Sequence, residues 1–161
     1  LRREGALEAA EKSECGVCLM HMQGEPRTMQ KNPVYNDLMA EVKSFLAERA
    51  QALRDLGVPA ERIVLDPGFG FGKTVSQNFE LLAKTEDFLS LGYPLLYGMS
   101  RKSSLGAVTG ITKAEERLIS SVTAHLLAVE RGASIVRVHD VKQMKEALTV
   151  YNAMIHYKDL K

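Results

Sequence analysis

Four polar clusters, each directly after a short apolar run, carry the chemistry legible in this chain. They are His21 to Gly24, Asp66 to Gly72, Gly98 to Ser103 and Arg137 to Asp140. The second is the densest: Ile63-Val64-Leu65 ends in Asp66, followed by Pro67 and Gly68-Phe-Gly-Phe-Gly-Lys-Thr74. An ionised carboxylate only accepts, and it can take two parallel N–H bonds from a guanidine-like or aminopyrimidine edge. Its competing role is to cap the glycine turn. Phe69 and Phe71, set between glycines, would offer apolar platforms to a flat ligand. Two phosphate motifs fail on spacing. A P-loop needs four residues between its first glycine and Gly-Lys-Thr, and Gly68 to Gly72 leaves three. The dinucleotide fingerprint needs two residues before its last glycine, and here there is one.

In the third cluster, Arg101 and Lys102 follow an apolar run and neighbour Gly98, Ser103 and Ser104, small residues that let a ligand reach the backbone. A solvated cation pair is the alternative. In the fourth, Arg137 and His139 are two apart in an alternating run and so point to one side. A helix is expected to start at once, capped by Asp140. Arginine, histidine and a helix N-terminus make a competent phosphate or pyrophosphate site; a hydrogen-bonded core histidine with a structurally paired arginine is the alternative. His21, in Met-His-Met, reads as packing, and His125 and His156 as surface or packing residues. No two histidines have metal-ligand spacing. Cys15 and Cys18 form C-x-x-C, but Cys18 lies in an apolar run and no second pair completes a zinc site. Both are expected to be buried or half-buried thiols.

The elements that must position these clusters follow from periodicity. Gly5 to Lys12 is helix-like, Val17 to Met22 is a strand running into the 23–26 loop, and apolar residues at three and four from Leu38 to Leu56 predict a helix. Ile63–Asp66 is the second strand. Ser76 is the expected cap of the next helix, through Phe88 to a stop at Gly92. Tyr93–Met99 is a third strand. Thr112 with Glu115 predicts a capping box for a helix to Arg131, Ala133–His139 is the fourth strand, and a helix follows to about Tyr157. Strand and helix thus alternate four times, as parallel strands with crossover helices do. The architecture is α/β, either a small doubly wound sheet or half of a (β/α)8 barrel. In both, ligands sit at the C-terminal ends of the strands, where the four clusters lie.

Composition excludes little but excludes it clearly. The 161 residues suit one domain, 1–161, or part of a larger one. A formal net charge of +1 gives no electrostatic reason to expect nucleic acid or an anionic membrane. There is no apolar run of membrane-spanning length and no signal-peptide pattern, so a cytoplasmic protein is expected. The chain opens at Leu1 in the body of a helix without a start signal, so further residues upstream are expected.

The stretches Leu19–Gly24, Leu65–Lys73, Gly98–Ser103, Glu116–Leu118 and Arg137–Asp140 resemble the dihydropteroate synthases, folate-pathway enzymes that sulfonamides inhibit. They stand in that family's order and spacing. The resemblance implies a (β/α)8 barrel, of which these would be strands five to eight, and condensation of dihydropterin pyrophosphate with p-aminobenzoate to give dihydropteroate and pyrophosphate. By the same resemblance, Asp66 would hold the aminopyrimidine edge of the pterin and Lys102 its far side. Met20, Gly70, Phe71 and Gly98 would line the ring pocket, Arg101 and Ser103 would flank the p-aminobenzoate subsite, and Arg137 and His139 would take the pyrophosphate. Lys102, Arg137 and His139 would carry the catalysis. Mg2+ would assist, its family ligand lying upstream of this chain, and late helices would form a homodimer. Two other readings stay open: a methyltetrahydrofolate-binding domain of a methyl-transfer protein, and a non-catalytic scaffold chain.

Overall fold

Leu65 joins the halves of the sheet. It pairs with Leu19 on one side and, through a parallel bridge, with Leu95 on the other, donating its N–H to the Pro94 carbonyl at 2.9 Å. The computed structural model describes residues 4–25 and 28–159; Leu1, Arg2, Arg3 and Pro26 of the expected opening helix and first loop lie outside them. In chain order the elements are α1 (Ala6–Lys12), β1 (Val17–Met20), α2 (Leu38–Asp55), β2 (Ile63–Asp66), α3 (Val75–Ala83), β3 (Leu96–Tyr97), α4 (Ser103–Thr109), α5 (Leu118–Glu130), β4 (Ile135–Val136) and α6 (Val141–Ile155). β1 pairs parallel with β2, and β3 with β4. With the Leu65–Leu95 bridge, strand order follows chain order. A doubly wound sheet reverses direction at a switch point; among the described strands there is no reversal. All four tips therefore lie along one edge in sequence order.

β3 and β4 are shorter than expected. Hydrogen bonding continues past them, Arg137 N–H to the Tyr97 carbonyl at 2.9 Å, but the flanking residues leave the ladder to shape the loops at the tips. Period-2 alternation places Leu19 in the core under α2 and leaves Cys18 on the opposite face. Cys18 and Cys15 are both exposed, which corrects the expectation of buried thiols.

Three helix starts also differ. Thr74, not Ser76, caps α3, accepting from the Gln77 N–H at 3.2 Å while Gln77 returns a bond to the Thr74 amide. That helix ends at Ala83, and a separate 3-10 turn spans Thr85–Leu91, because the Thr85 hydroxyl turns back onto the Leu82 carbonyl and meets the Tyr97 hydroxyl. The Thr112/Glu115 box does not form: Arg117 takes the Ile111 and Thr112 carbonyls, and α5 starts only at Leu118. Asp140 is at the start of α6 but makes no side-chain cap, since its carboxylate is held by Arg101. The unexpected α4 has weak intrinsic propensity, with a glycine and two β-branched residues; it is fixed by Leu105, which enters a core cluster with Phe69, Tyr97, Met99 and Ala124. The larger cluster joins α2 to β1 and β2 through Val42, Leu46, Leu53, Leu19, Ile63 and Leu65.

Candidate active site

A strand that ends in Asp66 must turn at once, and the turn is built around that residue. The buried carboxylate accepts the Gly68 N–H at 2.8 Å, so part of it does cap the glycine loop. Met20 is its register partner on β1, which sets the two side by side at adjacent tips. Burial pushes the Asp66 carboxyl up from the usual carboxylate range, while the Gly68 amide, Lys102, Arg137 and Lys73 all pull it down. Cations from three places in the chain thus converge on one acid.

Lys102 is the most intimate of them. Its ammonium donates to the Phe69 carbonyl and sits 4.3 Å from the centroid of the Phe71 ring. Burial lowers its pKa to about 8. Arg137 lays its guanidinium against Gly98. The Ser100 hydroxyl lies 2.9 Å from Nδ1 of His139 and accepts the His139 backbone N–H at 3.2 Å. Phe71, Gly98, Ser100, Lys102, Arg137, Val138 and His139 enclose a cavity of about 410 Å³. Five of the expected site residues are thereby brought to one cavity, and Asp66 is coupled to it through Lys102 and Arg137.

The others are placed elsewhere. Gly70 and Ser103 line a neighbouring cavity of about 230 Å³ with Gln30, Lys73, Thr74 and Ser104. Arg101 turns away to Asp140, with Nη2 at 2.6 Å and Nε at 3.2 Å from its two carboxylate oxygens. Of the two phenylalanines offered as platforms, Phe71 borders the larger cavity, while Phe69 is buried in the core, edge-on to Phe79. His21 is packed, as expected, edge-on to Phe45.

Sequence reasoning missed the residues that hold the glycine loop. Lys73, 3% exposed, donates to the Gly68 and Phe71 carbonyls and lies 2.9 Å from Nδ1 of His21. Asn78 accepts the Gly70 N–H at 2.6 Å, and the Tyr35 hydroxyl donates to the Gly72 carbonyl at 2.7 Å. A polar residue on the buried face of a helix, as Asn78 is, was the one available signal. Burial lowers the Lys73 pKa from 10.5 to about 7. A buried ammonium costs the fold most where it is charged in both states, below pH 7, and the cost is relieved between 7 and 10.5, where only the unfolded chain keeps the proton. Stability should therefore rise with pH across that window. Lys73→Met should destabilise the protein by about 1–3 kcal/mol at neutral pH, since two buried carbonyls lose a donor. It should also remove part of the rise, with Lys102 supplying the remainder; denaturation at neutral pH and about pH 9.5 reads both, and an unchanged slope would exclude a buried Lys73 ammonium.

No helix among the described residues is long and apolar enough to cross a membrane. Nor does any group of three His, Cys, Asp or Glu among them form a metal-binding cluster. Asp66, the acid in the loop, faces three cations, and Asp140 is paired with Arg101. These residues do not fit a magnesium site.

A parallel α/β sheet with a buried acid, a Lys/Arg-lined cavity and a glycine-rich wall at its tips defines a class of heterocycle-binding enzymes. The chain belongs to the family described as pterin binding enzyme, which it matches over residues 2–139. It is 45% identical to the Escherichia coli (strain K12) dihydropteroate synthase over 161 residues, all of this chain and 57% of that enzyme. Among solved structures, it superimposes on the Stenotrophomonas maltophilia dihydropteroate synthase with active site-bound imidazole with a TM-score of 0.94 and 51% identity, covering 97% of this chain and 59% of that one. For the Xanthomonas albilineans dihydropteroate synthase in complex with 7,8-dihydropteroate the values are 0.89 and 46%, covering 97% and 56%. The chain spans little more than half the length of these relatives.

Proposed function

We propose that this chain supplies the pterin and pyrophosphate side of a dihydropteroate synthase, joining dihydropterin pyrophosphate to p-aminobenzoate in folate biosynthesis. The observation that carries this is the convergence of Lys102 and Arg137, at the tips of β3 and β4, on the buried Asp66 at the tip of β2. β1 to β4 then stand as strands five to eight of a (β/α)8 barrel, a reading supported by their sequential order.

Asp66 accepts N–H bonds from the aminopyrimidine edge, using the capacity that the Gly68 amide leaves. Lys102 fixes the ring from its far side, and Met20, Phe71, Gly98 and Gly70 wall it. Arg137 and His139, ahead of α6, take the pyrophosphate. As the C–O bond breaks, negative charge grows on the departing group, and fixed cations in a partly desolvated cavity stabilise it without reorganising. Ser103, beside the start of α3 in the neighbouring cavity, suits the carboxylate of p-aminobenzoate. Arg101 acts at one remove, by fixing Asp140. Mg2+ would add charge stabilisation to the leaving pyrophosphate, held by groups other than the described acids of this chain. Val150, Met154 and Ile155 on α6 are exposed and suit a homodimer through the late helices.

Arg137→Ala should weaken binding of the pyrophosphate ester roughly ten- to hundredfold, the loss of one charge-assisted contact, and spare a phosphate-free pterin. Equal loss for both would move Arg137 out of the anion site. The direct test is dihydropteroate formation by the protein at its natural length, with Asp66→Ala as control. Binding of methyltetrahydrofolate without any use of p-aminobenzoate would replace this reading with the methyl-transfer one.

A further inference from the structure

Three polar residues of α5 and its first turn, Arg117, Ser121 and His125, are spaced by four and so share one face of the helix. All three are buried, His125 completely. An amphipathic helix on a sheet would normally present apolar side chains there. Instead this face meets the backbone of the loop that carries Ser100, Arg101 and Lys102. Nε2 of His125 accepts the Met99 N–H at 3.0 Å, the Ser121 hydroxyl accepts the Arg101 N–H at 2.9 Å, and Arg117 donates to the Arg101 carbonyl at 2.9 Å.

The stripe is also internally fixed. Nδ1 of His125 bonds the Ser121 carbonyl at 2.7 Å, which as a donor leaves Nε2 free to accept. The Ser121 hydroxyl donates to the Arg117 carbonyl and keeps a lone pair for Arg101. The remaining guanidinium N–H groups of Arg117 hold the Ile111 and Thr112 carbonyls. Arg101 itself has φ +60°, one of two non-glycine residues with positive φ among those described. Such a conformation costs energy and persists where its surroundings over-determine it. Here the peptide groups on both sides of its Cα are gripped by α5.

What the loop then holds is the site. Ser100 meets the His139 ring and amide, Arg101 grips Asp140 at the start of α6, and Lys102 crosses Phe71. We propose that Arg117, Ser121 and His125 are positioning residues, a rigid backbone clamp that sets the cation loop and, through Ser100 and Arg101, aligns His139 for the anionic group of the substrate. The proposal deepens the pterin pyrophosphate reading and rests on it for the identity of that group.

Ser121→Ala removes one acceptor without adding bulk, and Ser121→Thr keeps the hydroxyl. In the protein at its natural length, Ser121→Ala should weaken inorganic pyrophosphate binding, measured calorimetrically with a pterin present, about tenfold. It should lower kcat/KM for dihydropterin pyrophosphate by a similar factor, the size of one hydrogen bond with its unpaired donor. Ser121→Thr should restore both to within about threefold, an arm that a merely structural role for the side chain would not separate from the alanine variant. Amide hydrogen exchange at Arg101 is read in parallel and should quicken in the alanine variant alone. Pyrophosphate affinity unchanged in a Ser121→Ala protein whose Arg101 amide exchanges faster would overturn the positioning role. So would a threonine variant as impaired as the alanine one. If the parent protein itself bound neither pterin nor pyrophosphate, the functional reading would fall, while slow Arg101 exchange lost in Ser121→Ala would still support the clamp.

Discussion

Asp66→Asn should weaken pterin binding by about two orders of magnitude, with the protein still folded. Asparagine is nearly isosteric, and its carbonyl oxygen can still accept the Gly68 N–H that Asp66 holds at 2.8 Å. The other oxygen becomes an NH2 group, so an acceptor facing the donors of an aminopyrimidine edge turns into a donor. One charge-assisted hydrogen bond is lost and a buried N–H is left unmatched, together about 3 kcal/mol or a hundredfold in affinity. The substitution also removes the charge that raises the pKa of Lys73 and Lys102. Both lysines should then lose their protons at lower pH, and pterin affinity should fall further on the alkaline side. Calorimetric titration with a pterin, on the protein at natural length, reads the loss. Affinity within threefold of the parent would remove Asp66 from the ligand and leave it as a turn cap.

Gly68→Ala should be the most damaging single methyl group in the chain. At φ +76° an alanine is strained, and its Cβ would stand 1.8 Å from the His21 carbonyl oxygen, a backbone atom at the tip of β1. Neither partner is a flexible side-chain end, so the glycine loop or the strand tip must move. The loop cannot move alone, because Lys73, Asn78 and Tyr35 bond it along its length. A loss on the order of 3–5 kcal/mol follows, the scale of a backbone clash with several hydrogen bonds broken. Gly70→Ala makes the instructive contrast. Its Cβ would meet Cδ of Lys102 at 2.9 Å, a flexible stem that can swing aside. That variant should keep most of its stability and lose pterin affinity by displacing Lys102. Urea denaturation and pterin titration of the two side by side separate the effects; equal stability loss would mean that the Lys102 stem is as rigid as backbone.

The chain itself determined the alternation of strands and helices and the edge on which the chemistry sits. Period-2 apolar runs such as Ile63–Asp66 and the three-and-four repeat of Leu38–Asp55 state their own geometry, because burial of one face fixes both. Asp66, Lys102, Arg137 and His139 were legible because each directly follows such a run, and a parallel strand delivers whatever follows it to the same edge. Tertiary structure decided the rest, and decided it by long-range competition for hydrogen bonds. Thr112 has the residues of a capping box, but Arg117 takes its carbonyl; Asp140 stands at a cap position, but Arg101 takes its carboxylate. Phe69 and Phe71 are alike in sequence, yet one fills the core and the other walls the cavity, because the glycines between them turn the chain over. Lys73 reads as the end of a motif and becomes the buried cation inside the loop, opposite a histidine 52 residues away. Local pattern fixes which face a residue shows; only packing fixes which of several willing partners it finds.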